Sequence, residues 1–361
     1  MTILIYGAYG YTGELIVEEA LGRGLDIIVA GRNGTKTRGL ATVHGTASRV
    51  FGADDAGNNL DDVDILLNCA GPFVKTYEPI VEGCLETGTH YLDITGEFPV
   101  FEGLAERDRE AEKADVCLLP GIGFDVVPTD CLAGHLHDRL PGATELRLGF
   151  DALGAVSGGT VASAIEHASG GGKIRRDGII RDVPVASKQR TIDFGSGPKH
   201  AVTIPWGDVS TAYYTTGIEN IEVYAPMPKP VATVLRASAP ATPMLEFGPF
   251  KRTLQTVAKQ FFTGPSESQR QSNRAMIWGE ATDGDRTAVS RLRTPEPYSL
   301  TVDAATTAVS RLEEIESVPT GYQTPSSAFD PEFVLDLDGV EGFFDEGPDA
   351  EIGKVDVPGR K

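Results

Sequence analysis

Gly7, Gly10 and Gly13 stand three apart, directly after the apolar run Ile3-Leu4-Ile5-Tyr6. Backbone N–H groups at a helix N-terminus, with no Cβ in the way, can hold a nucleotide pyrophosphate. Tyr9, Tyr11 and Thr12, lying between the glycines, join them as candidate cofactor contacts. The spacing is G-x-x-G-x-x-G and not G-x-G-x-x-G, so its weight comes from its place at the first strand of a βαβ unit. A tight turn without ligand would use the same glycines. The next apolar run, Ile27-Ile28-Val29-Ala30, ends in Gly31-Arg32-Asn33. An NAD site places an acid about 20 residues past the glycines, on the ribose 2′-OH. Here that place holds Arg32, a guanidinium suited to a 2′-phosphate, with Asn33 beside it and Lys36 to add charge. The pattern predicts NADP(H), preferred over NAD(H).

Three further segments fall at strand ends that share this crevice. Cys69, Ala70, Gly71 and Pro72 follow the run Ile65–Asn68, and their small size lets a ribose approach. His90–Glu97 ends another strand, bringing Asp93, Thr95, Gly96 and Glu97 towards the reacting end. Asp93 and Glu97 are candidate catalytic acids. Asp125, after Gly121-Ile122-Gly123-Phe124, is the polar group expected nearest a nicotinamide. A helix-capping or turn aspartate would read the same way.

The elements that must carry these residues alternate strand and helix through residue 130. Helices are expected at 13–21, 36–44, 77–86 and 98–113, with strands at 3–6, 27–30, 49–51, 65–68, 90–94 and 116–119. Strands that are almost wholly apolar signal a parallel sheet covered on both faces, a doubly wound α/β fold. After Pro128 the rhythm changes to a helix at 129–139, a strand at 145–150, a helix at 159–168, several strands through 173–224, a helix at 250–262, a hairpin around Asp283-Gly284-Asp285 and a last helix at 299–316. The chain is expected to divide into a doubly wound α/β domain over 1–130, a second domain over 131–297, a helix and strand over 298–341, and an acidic mobile tail over 342–361.

The chain has 361 residues and a formal net charge of −20, with 52 acidic against 32 basic side chains. Such a field opposes nucleic acid and anionic lipid. Only 11 of the basic residues are lysine, which resembles the solvated surface of a halophile protein, although an ordinary acidic cytosolic enzyme fits as well. Cys69, Cys84, Cys117 and Cys131 form no C-x-x-C pair and read as reduced thiols of a cytoplasmic protein. The first residues read as a strand and not as a signal peptide. No metal cluster of the H-E-x-x-H kind, no Tyr-x-x-x-Lys pair and no G-x-S-x-G elbow occurs in the sequence.

Taken together, Gly7–Gly13, Ala30-Gly31-Arg32, Asn68–Phe73, Gly88–Glu97 and Gly123–Asp130 resemble the saccharopine dehydrogenase-like oxidoreductases, in the branch that includes the trans-acting enoyl reductases. Ser157–Thr160, Gly264–Ser266 and Tyr298–Thr301 continue the resemblance. It implies a Rossmann domain for NADP(H) over 1–130, a second α+β domain with a mixed sheet over 131–297 that forms the substrate face and often a dimer contact, and a C-terminal helix and strand over 298–341 returning to the first domain. It also implies that Asp54 falls near the adenine. The function expected is an NADPH-dependent reductase of a C=C, C=O or C=N bond in a hydrophobic or amino-acid-derived small molecule. Arg175, Arg176, Arg181 and Arg190 are candidates to hold a polycarboxylate acceptor, while Trp206, Tyr213, Tyr214, Phe247, Phe250, Phe261 and Phe262 suit an apolar one. The alternatives are a regulator that binds NADP(H) without turnover, and a lipid-surface protein anchored by the 250–262 helix.

Overall fold

The computed structural model describes residues 1–152, 171–238 and 267–347. The helices expected at 159–168 and 250–262, the motifs at 157–160 and 264–266, and Phe247, Phe250, Phe261 and Phe262 lie outside the described residues.

The first domain alternates β1 (Ile3–Tyr6), α1 (Tyr11–Gly22), β2 (Ile27–Gly31), α2 (Gly34–His44), β3 (Ala47–Val50), β4 (Ile65–Asn68), α3 (Tyr77–Thr87), β5 (His90–Asp93), α4 (Phe98–Ala105), α5 (Asp108–Ala114) and β6 (Cys117–Leu119). α6 (Val127–Arg139) leads into the second domain. There follow β7 (Glu145–Ala152), β8 (Gly172–Arg176), β9 (Ile179–Val183), β10 (Gln189–Asp193), β11 (Pro198–Thr203), α7 (Asp208–Thr216), β12 (Asn220–Pro226), α8 (Lys229–Ser238), α9 (Glu267–Ser272), β13 (Arg274–Thr282) and β14 (Thr287–Pro295). The chain then returns through α10 (Pro297–Glu314), β15 (Gly321–Tyr322), α11 (Pro325–Phe329) and β16 (Glu341–Glu346).

The first sheet has the order β15-β6-β5-β4-β1-β2-β3, and every pairing in it is parallel. β1 and β4 are buried along their whole length because helices cover both faces, which is why they read as unbroken apolar runs. The second sheet is mixed, in the order β10-β11-β12-β7-β13-β14-β16, with β8 attached to β12 and β9 to β8. β7 buries Leu146 and Leu148 on one face, and the alternation reverses at Gly149, which packs against Tyr224 and Phe194 on the other. α6 covers the face of Leu146 and Leu148 so closely that a Cβ on Gly279 would fall 2.6 Å from Leu136.

α10 comes back onto α1, where Arg23 pairs with Asp303 at 2.5 Å and Tyr11 meets Tyr298 edge-on at 5.1 Å. Three expectations need correction. The single helix over 98–113 is broken at Glu106-Arg107, where Arg107 leaves helical geometry to cap α5 and pair with Glu82 and Glu110. Residues 208–216, read as part of a run of strands, form α7. Residues 342–346, expected within the acidic mobile tail, instead belong to β16, which pairs with β14, and Glu346 meets Arg291 at 2.6 Å.

Candidate functional site

The carboxyl ends of β1, β2, β4, β5 and β6 bring the sequence motifs to one edge of the first sheet. Gly7 takes φ +79°, and a Cβ there would lie 2.8 Å from the Ala70 nitrogen, so the glycine loop rests directly on the β4 tip. A Cβ on Gly13 would lie 2.6 Å from the Gly7 carbonyl. Gly10 is the N-cap of α1, with no side-chain cap over its first turn. Tyr11 turns the other way, onto Tyr298, and Thr12 lies in the same first turn. This bare helix end is the cradle that a pyrophosphate needs.

At the β2 tip the Tyr9 ring covers Gly31, where a Cβ would sit 2.5 Å from Cε1. Lys36 Nζ lies 5.7 Å from the same ring. Asn33 caps α2, its side chain accepting from the Lys36 N–H at 3.1 Å. Its amide oxygen therefore orders the turn. Arg32 and Lys36 are exposed. Arg38, a base the motif did not single out, folds back over Gly34. Three cations thus surround the one tip where an NAD site would carry an acid. Asp54 is exposed beyond β3, in a short 3-10 turn. This donor set fits NADP(H): Arg32, Lys36 and Arg38 are the cations near the β2 tip that could meet a 2′-phosphate.

The β4, β5 and β6 tips are tied by a buried network that sequence reasoning missed. Asn68, fully buried, donates to Thr76 at 3.3 Å and to Tyr91 at 3.2 Å, and accepts from the Ala70 N–H at 2.9 Å. Tyr91 donates to Asp93 at 2.8 Å, and Asp93 also accepts from the Thr95 and Gly121 N–H groups, each at 2.9 Å. Burial pushes the Asp93 carboxyl up to about 6 despite these bonds. Glu97, 2% exposed, accepts from the Phe73 and Val74 N–H groups at 3.1 and 2.9 Å. Thr95 is buried, its hydroxyl accepting from the Glu97 N–H at 3.0 Å. Asp93 therefore ties the β5 and β6 tips together, and Glu97 holds the loop after Pro72, each with the very oxygens a catalytic acid would need. Burial raises the Cys69 thiol, which keeps it protonated and unreactive.

Asp125 differs. It is half-buried, and its Oδ2 lies where a Cβ on Gly96 would come within 2.7 Å. Burial pushes this carboxyl up to about 6. Its backbone carbonyl accepts from Trp206 Nε1 at 2.9 Å, so the second domain touches the reacting end here. Trp206 lies 4.7 Å from Phe150, which meets Phe124 edge-on at 6.0 Å. These rings form an apolar wall beside the one candidate acid whose carboxylate makes no hydrogen bond to a described residue.

The four arginines expected to bind carboxylates are engaged elsewhere. Arg175 pairs with Glu102 at 2.6 Å, Arg176 with Glu222 at 3.5 Å, Arg181 with Asp177 at 3.8 Å and Arg190 with Glu280 at 2.9 Å. No group of three or more His, Cys, Asp or Glu residues able to hold a metal occurs among the described residues. No helix among them is long and apolar enough to cross a membrane.

Residues 3–119 match the saccharopine dehydrogenase NADP binding domain family. The saccharopine dehydrogenase-like oxidoreductase of Rattus norvegicus is 30% identical over 162 residues, covering 38% of this chain and 37% of the relative. The trans-acting enoyl reductase of Mycobacterium bovis is 29% identical over 148 residues, covering 38% of this chain and 35% of the relative. The chain thus matches little more than a third of the length of each. Saccharopine dehydrogenase (L-Glu forming) from Saccharomyces cerevisiae superimposes over 93% of this chain and 96% of its own, with a TM-score of 0.61 at 12% identity, a likeness of fold.

Proposed function

We propose that the chain, whose residues 3–119 match the saccharopine dehydrogenase NADP binding domain family, is an NADPH-dependent reductase of an apolar, unsaturated small molecule. NADPH supplies a hydride when bound. The residues supply placement and a proton. The glycine loop and the Arg32, Lys36 and Arg38 cluster fix the pyrophosphate and the 2′-phosphate. Asp93 and Glu97 hold the β4–β6 tips in register by bonding backbone N–H groups. Asp125 is the candidate proton donor, since a carboxyl raised to about 6 stays partly protonated near neutrality. Trp206, Phe150 and Phe124 exclude water and offer an apolar surface to the acceptor.

The observation that carries this reading is the placement of Asp125 between the strand tips and that aromatic wall. A polycarboxylate acceptor would need unpaired arginines, and all four candidates already face acids, which favours an enoyl, ketone or imine acceptor of low charge. The buried thiols of Cys84, Cys117 and Cys131 fit work in a reducing compartment such as the cytoplasm. The test is a screen of enoyl thioesters, ketones and cyclic imines, following loss of the reduced nicotinamide absorbance, with saccharopine in the reverse direction. Turnover of an apolar acceptor that falls about 100-fold in Asp125→Asn supports the reading. NADPH binding without turnover of any class would favour the non-catalytic regulator instead.

A further inference from the structure

Arg175 belongs to the second domain, yet it is 3% exposed and its guanidinium is wholly committed to contacts around the domain junction. Nε donates to the Val209 carbonyl at 2.7 Å, Nη1 to the Gly178 carbonyl at 2.6 Å and Nη2 to Glu102 at 2.6 Å. The Tyr213 ring centroid lies 4.2 Å from its Cζ. Ser210 donates to the same Glu102 oxygen at 2.5 Å. Glu102 thus receives two donors from across the junction.

The two elements joined here are the two sides of the crevice. Glu102 is on α4, whose N-terminus is Glu97, the residue that holds the Phe73 and Val74 N–H groups after Pro72. Val209 and Ser210 are in the first turn of α7, which continues from Trp206 and Gly207. Gly207 packs so tightly on α4 and the β5 tip that a Cβ there would lie 2.6 Å from Phe101 and 3.2 Å from the Gly96 carbonyl. A buried ion pair is a poor source of stability for its desolvation cost, but a guanidinium fork fixes direction well.

We propose that Arg175 and Glu102 are positioning residues, a clasp that sets the distance between the cofactor side of the crevice and the Trp206 wall. The proposal rests on the NADP(H) reading above. Loosening the clasp shifts Trp206 relative to bound cofactor while leaving the glycine loop and the Arg32 cluster untouched.

The chain has two tryptophans, Trp206 and Trp278, so Trp278→Phe leaves Trp206 as the sole indole emitter. Titrating this parent with NADPH gives affinity from the midpoint and the Trp206-to-nicotinamide relation from the quenching at saturation. The expected result is strong quenching in the parent and a saturating amplitude reduced by about half in Arg175→Met and in Glu102→Gln, with Kd within about twofold. Glu102 is a third exposed, so its variant keeps the test valid should the arginine variant fail to fold. Folded variants with the parent's amplitude and Kd would overturn the clasp. So would a parent that binds NADPH by calorimetry yet shows no quenching, since Trp206 would then not face the cofactor. A folded parent that binds no NADPH would refute the cofactor reading itself, and the clasp with it.

Discussion

Asp125 is held through its backbone, by Trp206, while its carboxylate rests against Gly96 with no hydrogen bond to a described residue. An unfolded aspartate titrates near 3.9, and here burial lifts the folded value to about 6. Below about pH 4 both states are protonated and nothing is lost. As pH rises from about 4 to about 6 the unfolded chain ionises first, so stability falls through that window and stays lower above it. Asp125→Asn should therefore raise stability at neutral pH by about 2 kcal/mol and flatten the slope between about pH 4 and 6 relative to the parent. Thermal unfolding of both proteins across that range checks it, and identical slopes would contradict the burial account. That Asp125 lies just beyond the carboxyl end of β6 was legible in the sequence, because the apolar run Val116–Leu119 closes shortly before it. The engagement of Asp93 and Glu97 was not. Residues two apart on a strand share a face, which puts Asp93 beneath Tyr91, but no spacing reveals that backbone N–H groups of Thr95 and Gly121 turn back onto its oxygens.

At the scale of elements, the glycine loop and the returning helix α10 make separable predictions. Gly7→Ala forces a side chain into φ +79° and a Cβ to within 2.8 Å of the Ala70 nitrogen. It should cost about 2–4 kcal/mol and abolish NADPH binding, measurable by unfolding and titration of the same preparation. Thr301 on α10 accepts from the Phe124 N–H at 3.0 Å and donates to the Pro297 carbonyl at 2.8 Å, pinning the loop that ends in Asp125. Thr301→Val should lose about 1–2 kcal/mol, seen as a lower Tm. An unchanged Tm would mean that the loop is held without it. The strand–helix rhythm of the first domain was readable because each buried parallel strand is a short apolar run closed by a turn. α7 was not. Its Val209, Thr211, Tyr213, Tyr214, Thr215 and Thr216 are β-formers by intrinsic preference, and packing against α6 and β12 overrides that preference.

Across the whole molecule, two sheets meet at the crevice, and a net charge of −20 surrounds them. Like charges repel over a Debye length of about 10 Å at 0.1 M salt and about 3 Å at 1 M. Raising KCl across that range should lift Tm by several degrees, and a flat response would show that the surface acids are already balanced by the ion pairs around them. The acid excess was plain in the composition, and the change of rhythm after Pro128 was plain in the order of the elements, whereas the mixed sheet was expected only from the resemblance. The apposition of Trp206 and Asp125, from residues 81 apart in sequence, is a product of domain packing that composition and periodicity do not encode. The central claim is that the β2 tip selects the 2′-phosphate. Calorimetric titration of the chain and of Arg32→Ala with NADPH and NADH tests it most directly. The account predicts that NADPH binds at least about tenfold more tightly than NADH, and that Arg32→Ala weakens NADPH by about 10–100-fold while hardly changing NADH. Equal affinity for both nucleotides, unchanged by the substitution, would contradict it.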